Sequence, residues 1–413
     1  MAQCSRRAIF IFILMALFLC FEMALQVSPV VMTKDLSLSL KLNSFDLGVM
    51  SGVYFITYSL MQIPSGLMYD RLNIVKVVTS AILICGIGAG LFSLSESMLT
   101  GSLARMMMGF GSAFAFLSVL TVASRYFPAQ YFAMLAGIAQ LLAALGAIGG
   151  ELPIVWLNQH LGWRHSFLLL MAFAFMLIFF IFYAFRHMPM RCKTPETSEH
   201  VRSSLKEILR KRQTWLIGAY ALLNWAPITA FASLWGVPFL MTKYALSLNM
   251  AASLCSLIWL GVGLSSPFIG ALSDLASQRK LLLTLTPLLG GFAFSALLYS
   301  NHLSILFLGA LLFIAGLGSS GQVLSFAVVK DVAHKDRTSA AIGFNNMAVV
   351  ASGMIMQPLI GKLLEMHHPA IGGDYSLAAF SQSLWLLPFC DFLCMLIAIF
   401  FIRETYPQQK GSR

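Results

Sequence analysis

Along the chain, apolar residues do not alternate with polar ones. They come in long runs divided by short polar stretches. Twelve runs are long enough to cross a bilayer: roughly 8–31, 46–69, 75–95, 99–122, 131–157, 165–186, 214–240, 250–273, 281–299, 303–328, 338–362 and 380–403. A bilayer-spanning helix needs about 20 mostly apolar residues. Barrel strands need only about 9–11 and alternate in polarity. The pattern therefore predicts an all-α membrane protein with twelve transmembrane helices. The longest polar stretch between runs, 187–213, separates six runs from six. It divides the chain into an N-terminal six-helix bundle at 1–186, a linker at 187–213 and a C-terminal six-helix bundle at 214–413. From Glu199 to Arg212 the linker has the composition of a short helix on the lipid surface or of a solvated connection. The first run holds Glu22 and Gln26, is too long for a signal peptide's apolar region and is followed by no small-x-small site, so it reads as a retained helix.

Composition agrees. Fifty-nine per cent of residues are hydrophobic and 10% are charged, against about 25% charged in soluble domains. The net charge of +11 raises the question of nucleic acid, but its placement answers it. With the N-terminus in the cytoplasm, Lys34, Lys41, Arg164, Lys243 and Lys362 fall outside and Arg105 within a run. The other 21 of the 27 Lys and Arg fall on cytoplasmic segments. This positive-inside bias predicts that both termini are cytoplasmic. The partners it implies are membrane lipids, with no nucleic acid. The seven Cys form no extracellular disulfide framework. Cys390 and Cys394, one helical turn apart, read as packing residues.

A short charged phrase occurs twice. Gly66 stands four residues before Asp70, and Gly270 four before Asp274, an offset of 204 positions. Both fall between the second and third runs of their halves, as in carriers built from parallel repeats. Gly lets two helices approach closely, and an Asp at a helix end favours the positive dipole end of the next helix. Arg71, Lys76, Arg279 and Lys280 follow on the cytoplasmic side. Such a cluster is expected to join and release the cytoplasmic ends of the two halves.

These residues resemble the major facilitator superfamily (MFS). Asp70 and Arg71 match its Gly-x-x-x-Asp-Arg signature, and Asp274 matches the second copy. Asn73 and Ile74 depart from the usual Gly and basic residue. "RMMMGFGSA", with Arg105, Gly109, Gly111 and Ala113, resembles the fourth-helix motif, and "YFP" at 126–128 and "GWR" at 162–164 are common in the superfamily. "QVSPVVM" at 26–32, "YSLMQIPSGLMYDR" at 58–71 and "LWGVPFL" at 234–240 resemble the proteobacterial intraphagosomal amino acid/nucleoside transporter (Pht) family. Some of these features are shared with the lysosomal dipeptide transporter family. The resemblance implies a monomeric carrier in the bacterial inner membrane, working by alternating access.

Buried polar groups in a membrane are costly and are the first functional candidates. Glu22 lies about nine residues, or roughly 13 Å, from the outer end of its span. Arg105 enters the fourth span to a comparable depth. The expectation is a buried ion pair, with Glu22 the protonatable group and Arg105 its counter-charge. Burial and a nearby cation act on a carboxylate's proton in opposite senses, which suits a coupling site. A permanent structural pair is the alternative. Glu151 is expected to reach water near an outer end, and Asp391 to pack or cap. Tyr54, Tyr58 and Gln62 share one helix face. With Gln26, Asn224, Trp225, Gln322, Asn345 and Asn346 they form the candidate substrate-binding set, and Trp235 lies nearer an outer end. Amides and aromatics with one buried cation favour a small neutral or zwitterionic solute.

Other matches carry no such weight. "GLGSSG" at 316–321 fits a dinucleotide fingerprint, but no strand precedes it, so close helix packing is expected. No Walker-type loop and no nucleophile–base set is present, so neither ATP hydrolysis nor an enzyme is predicted. No cofactor is expected and no metal: His367 and His368 adjoin on a loop. "LGAIGG" lacks the Gly-Pro of drug–proton antiporters. The reading is a proton-coupled importer of a small-molecule substrate, an amino acid first and a nucleoside or dipeptide next. The alternatives are an exporter or siderophore permease of the same fold, or a non-transporting receptor.

Overall fold

The computed structural model describes residues 6–128, 132–186, 209–332, 338–367 and 375–405, with the side chains of 70, 132–133 and 338–340 outside that description. The linker residues 187–208 also lie outside the described residues, and with them most of the expected surface helix. His368 lies outside them as well. Every described regular element is helical.

Ten helices among the described residues are long and apolar enough to cross a membrane. One of them runs through Gly162, whose φ of 78° ends one helix and starts the next. Only glycine adopts such a conformation at little cost. Splitting it there, and adding the 28-residue Ser44–Arg71, gives twelve rods. They are α1 Arg6–Val27, α2 Ser44–Arg71, α3 Ile74–Ser93, α4 Met98–Tyr126, α5 132–161, α6 163–185, α7 Arg212–Tyr244, α8 Leu248–Ala276, α9 Lys280–Tyr299, α10 Ile305–Val332, α11 Thr338–His367 and α12 Leu377–Phe400.

The ends are capped locally. A helix leaves its first amides without partners. Asn43 accepts from Asp46 N at 2.7 Å, Ser97 and Thr100 form a capping box, and Ser247, Ser304 and Ser376 cap α8, α10 and α12. The outer basic residues predicted from charge placement close the opposite ends. Arg164 donates to Ser93 O and Ser95 O beyond α3. Lys243 does the same for Leu297 O and Leu298 O on α9.

Close packing within each half is also repeated. A side chain at Gly109 would collide with the backbone of Tyr54, and one at Gly316 with that of Ile258. These are the α2–α4 and α8–α10 contacts, equivalent in the two halves. Gly318 likewise meets Gly290, so "GLGSSG" is a helix-packing stripe.

Four rods are interrupted within their length. After α1 the chain tightens to a 3₁₀ turn at Ser28–Val31, with Pro29 in it. α4 turns at Ala113–Phe114. α7 widens to a π-helix over Ile228–Trp235, just after Pro227. α10 turns at Ser320–Gly321. These are the first and fourth rods of each half. Interrupted helices free backbone groups at membrane depth, where only protein or a lined cavity can satisfy them. A shorter turn at Trp385 interrupts α12.

Candidate functional site

A cavity of about 110 Å³ lies between the halves. That is smaller than the 300–1,000 Å³ typical of drug-sized ligands. Six of the predicted residues line it: Glu22, Gln26, Tyr58, Trp225, Gln322 and Asn346. Gln140, Trp259, Phe116 and Phe326 also line it and were not foreseen. Gln140 stands as a polar residue inside an apolar run, which was the available signal. Trp259 is an ordinary apolar residue until its helix is placed.

The other candidates hold the walls. Asn224 donates to Gly318 O at 3.1 Å, just before the turn in α10. Asn345 donates to Ser325 Oγ at 2.7 Å. Gln62 accepts from Asn346 at 2.6 Å, across the two halves. Trp235 is buried away from the cavity and donates to Gln357 O.

Arg105 is wholly buried on α4. It donates from Nη1 to Leu25 O at 2.7 Å and from Nη2 to Gln26 O at 3.5 Å. The cause lies in α1. In a continuous helix Leu25 O would accept from the amide of residue 29, but that residue is proline and has none. Arg105 fills the gap, assisted by the Ser28 hydroxyl at 3.4 Å. Its planar fork presents one nitrogen to each of two adjacent carbonyls.

The direct Glu22–Arg105 ion pair expected from the sequence is not formed. Tyr54 stands between them. Its hydroxyl donates to Glu22 Oε1 at 3.0 Å, and its ring lies 4.4 Å below the Arg105 guanidinium. The orphaned carbonyls of α1 draw the guanidinium away from the carboxylate. Glu22 Oε2 and Arg105 Nε are buried with no hydrogen-bond partner. The three residues form one relay: carboxylate, phenol, guanidinium.

Of the two other acids, Glu151 differs from expectation, while Asp391 takes the packing alternative. Glu151 does not reach water. It is fully buried and accepts from Trp259 Nε1 at 3.0 Å, because α8 packs over it. Asp391 caps nothing. It is fully buried, both its oxygens lack partners, and it lies against Gly290 of α9.

The cavity is shut at one end. There a Cβ at Gly48 would lie 2.5 Å from Gln357 O, and one at Gly361 would collide with Ser44 O. Asn43 also donates to Glu365 at 3.1 Å. At the opposite end, Gly66, Gly137 and Gly270 meet nothing within 4 Å among the described residues. Among those residues, the close approach expected at Gly66 and Gly270 is not seen. The side chain of Asp70 lies outside the described residues, and Arg71 is exposed at the end of α2. The contacts described for the second copy stay within the C-terminal half. Arg279 pairs with Asp331 at 2.6 Å and with Asp274 at 3.5 Å. The amides that Asp274 was expected to serve are taken by Glu404, which accepts from Arg279 N and Lys280 N at 3.0–3.1 Å.

Comparison with known proteins agrees with this architecture. "Putative transporter AraJ" of Escherichia coli (strain K12) is 23% identical over 219 residues, 52% of this chain and 53% of that protein. The chain thus spans about half the length of that curated relative. Two crystal structures of a bacterial homologue of the human lysosomal transporter Spinster share the fold. The inward-facing, unoccupied form has a TM-score of 0.73 at 16% identity, covering 96% of this chain and 95% of that one. The inward-facing, occupied form has a TM-score of 0.70 at 15% identity, with the same coverage. The profile of the Major Facilitator Superfamily matches residues 10–237 and 221–413. With twelve rods in two repeated halves around a central cavity, this multi-pass membrane protein belongs to the Major Facilitator Superfamily.

Proposed function

We propose that the protein is a secondary active transporter working by alternating access, a monomer that moves one small polar solute through the cavity. The observation that carries this reading is the cavity: small, lined by one acid, four amides, a phenol and two indoles, and shut at the end where Gly48 and Gly361 bring α2 and α11 together. The charge placement in the sequence puts the open end in the cytoplasm. The conformation then faces inward. Independently of it, the proposed direction is import across the bacterial inner membrane, with an amino acid as first substrate and a nucleoside or dipeptide next. The resemblance to the intraphagosomal and lysosomal dipeptide families supports that order.

Protons are the proposed driving ion. Glu22 offers one oxygen to Tyr54 and holds the other unpartnered beside the cavity. A proton arriving on Oε2 removes the anion while the Tyr54 bond to Oε1 persists. That changes the field felt by Arg105 through the Tyr54 ring. The N-terminal helices can thereby sense protonation without a direct ion pair.

One observation favours the neutral solute. Arg105 is spent on Leu25 O and Gln26 O and is not among the lining residues. A substrate carboxylate would have to take the guanidinium from those carbonyls. A nucleoside would not.

The test uses purified protein in proteoliposomes with an imposed pH gradient. The panel holds single amino acids, nucleosides, dipeptides and siderophores. Uptake of an amino acid or nucleoside that rises with the inward proton gradient is expected. In Glu22→Gln, gradient-driven accumulation should vanish while solute exchange at equal concentrations persists. Gradient-driven accumulation undiminished in Glu22→Gln would falsify the coupling role. Transport of siderophores only would replace the substrate, and no transport of any panel member would favour the receptor reading.

A further inference from the structure

We infer that Glu151 is a positioning residue for the gate, holding the α5–α8 seam closed through Trp259, a residue that also lines the cavity. The inference rests on the alternating-access reading and extends it to a residue outside the cavity.

Among the described residues, hydrogen bonds cross between the halves along two seams. On α2–α11 there are three: Asn43 to Glu365, Ser59 to Met347 O, and Asn346 to Gln62. On α5–α8 there is one, Trp259 Nε1 to Glu151 Oε1 at 3.0 Å. The α2–α11 seam is therefore pinned at several heights, and its loss of any one bond is shared. Among the described contacts, the α5–α8 seam has this one polar link near the cavity.

That contact is expensively made. Glu151 has no exposed surface, and its second oxygen has no partner. A buried carboxylate with one neutral donor is poorly satisfied. A residue serving only stability would be better replaced by an apolar one. In a seam that opens, the cost belongs to one conformation and is relieved in the other, where the carboxylate meets water. The closed state is then held tightly enough to form and loosely enough to leave.

Glu151 is also rigidly aimed. Its neighbour Gly150 abuts the backbone of Ala24, and one turn earlier Gly146 abuts that of Cys20. This packing ties α5 to α1, the helix that carries Glu22. On the other side, the Trp259 ring meets the edge of Trp225, with centroids 6.4 Å apart, and both rings line the cavity. A solute that moves Trp259 moves the donor of the seam's hydrogen bond. The occupancy of the cavity and the state of the gate thus meet at one N–H.

Cys255 supplies a native reporter. It is buried on α8 four residues from Trp259, toward the shut end, with Sγ directed at Ala232 O. The experiment is maleimide labelling of Cys255 as the sole remaining cysteine, in full-length protein reconstituted in nanodiscs without substrate. Labelling should be slow in the parent. Trp259→Phe keeps a six-membered aromatic ring but loses the pyrrole ring with its donor, and Glu151→Ala loses the acceptor. Each should speed labelling by about tenfold, the population shift expected of one buried hydrogen bond. The double variant should label no faster than either single one, since both remove the same bond. Glu151→Gln keeps an acceptor oxygen and should label at nearly the parent rate. That rescue separates positioning from mere packing. Unchanged labelling in Trp259→Phe would overturn the inference, as would equal labelling of Glu151→Gln and Glu151→Ala. Because labelling needs no substrate, its outcome is separate from the proteoliposome test. If Glu151→Ala does not fold, the Trp259→Phe and Glu151→Gln pair decides.

Discussion

The two halves solve one backbone problem with different chemistry. Each interrupts its first and fourth rods, and each must then satisfy freed carbonyls. The N-terminal half uses a charge: Arg105 reaches from α4 to Leu25 O beside Pro29. The C-terminal half uses neutral amides. Asn224 of α7 donates to Gly318 O before the turn in α10, and Gln357 of α11 donates to Thr229 O inside the π-helix of α7. The charged solution brings a carboxylate and a phenol with it. The neutral one leaves room for two indoles and two amides on the cavity wall. The lesson is that the charged and the neutral sides of the cavity follow from how each half repairs its broken helices.

The largest effect should come from removing the charge. Arg105→Ala deletes a charged donor pair and leaves Leu25 O only the long Ser28 hydroxyl contact, costs of about 1.5–3 and 1–3 kcal/mol. A loss of about 3 kcal/mol or more is expected, read as thermal unfolding in detergent. Arg105→Lys should recover only part of it, because an ammonium point charge lacks the rigid, stacking fork that Arg105 lays over Tyr54. A lysine variant melting like the parent would show that the charge matters and the fork does not.

The neutral repair should be cheaper to break. Asn224→Ala removes the donor to Gly318 O and Gln357→Ala the side-chain donor to Thr229 O, and each should cost about 1–2 kcal/mol. The two sites serve different rods, so their losses should add in the double variant. If either amide costs as much as Arg105, the contrast between the halves collapses into a common requirement for satisfied backbone.

The rods, the repeat and the depth of Glu22 and Arg105 were legible in the sequence, because run length, spacing and rise per residue are one-dimensional quantities. Pro29 was legible too, as was the carbonyl it orphans. What the sequence does not contain is which side chain crosses from another rod to fill that gap, so Arg105 was paired with the acid and Tyr54 was given to the substrate. Glu151 was misread for the same reason. Counting residues from the end of a span measures depth along one helix, while water access depends on whether α8 covers that height. Asn73 was noted only as a departure from the family signature. In the structure its side chain accepts from Val75 N at 2.9 Å and caps α3.

That cap provides the smallest effect and the finest version of the comparison. The N-termini of α3 and α9 are equivalent positions. α3 is capped from within by Asn73, whereas the first amides of α9 are held by Glu404, just beyond α12. Asn73→Ala should cost about 1 kcal/mol, the usual price of a lost N-cap, with little dependence on salt. Glu404→Ala should cost less, since exposed amides find water and the carboxylate sits among charges that ions screen. Its cost should fade toward about 1 M salt, where screening acts within about 3 Å. Melting curves at low and high salt separate the two. A Glu404→Ala loss that exceeds the Asn73→Ala loss and persists in high salt would mean that the carboxylate ties α12 to α9 by packing. The C-terminal half would then rely on a long-range tie at the very position where the N-terminal half needs only a local one.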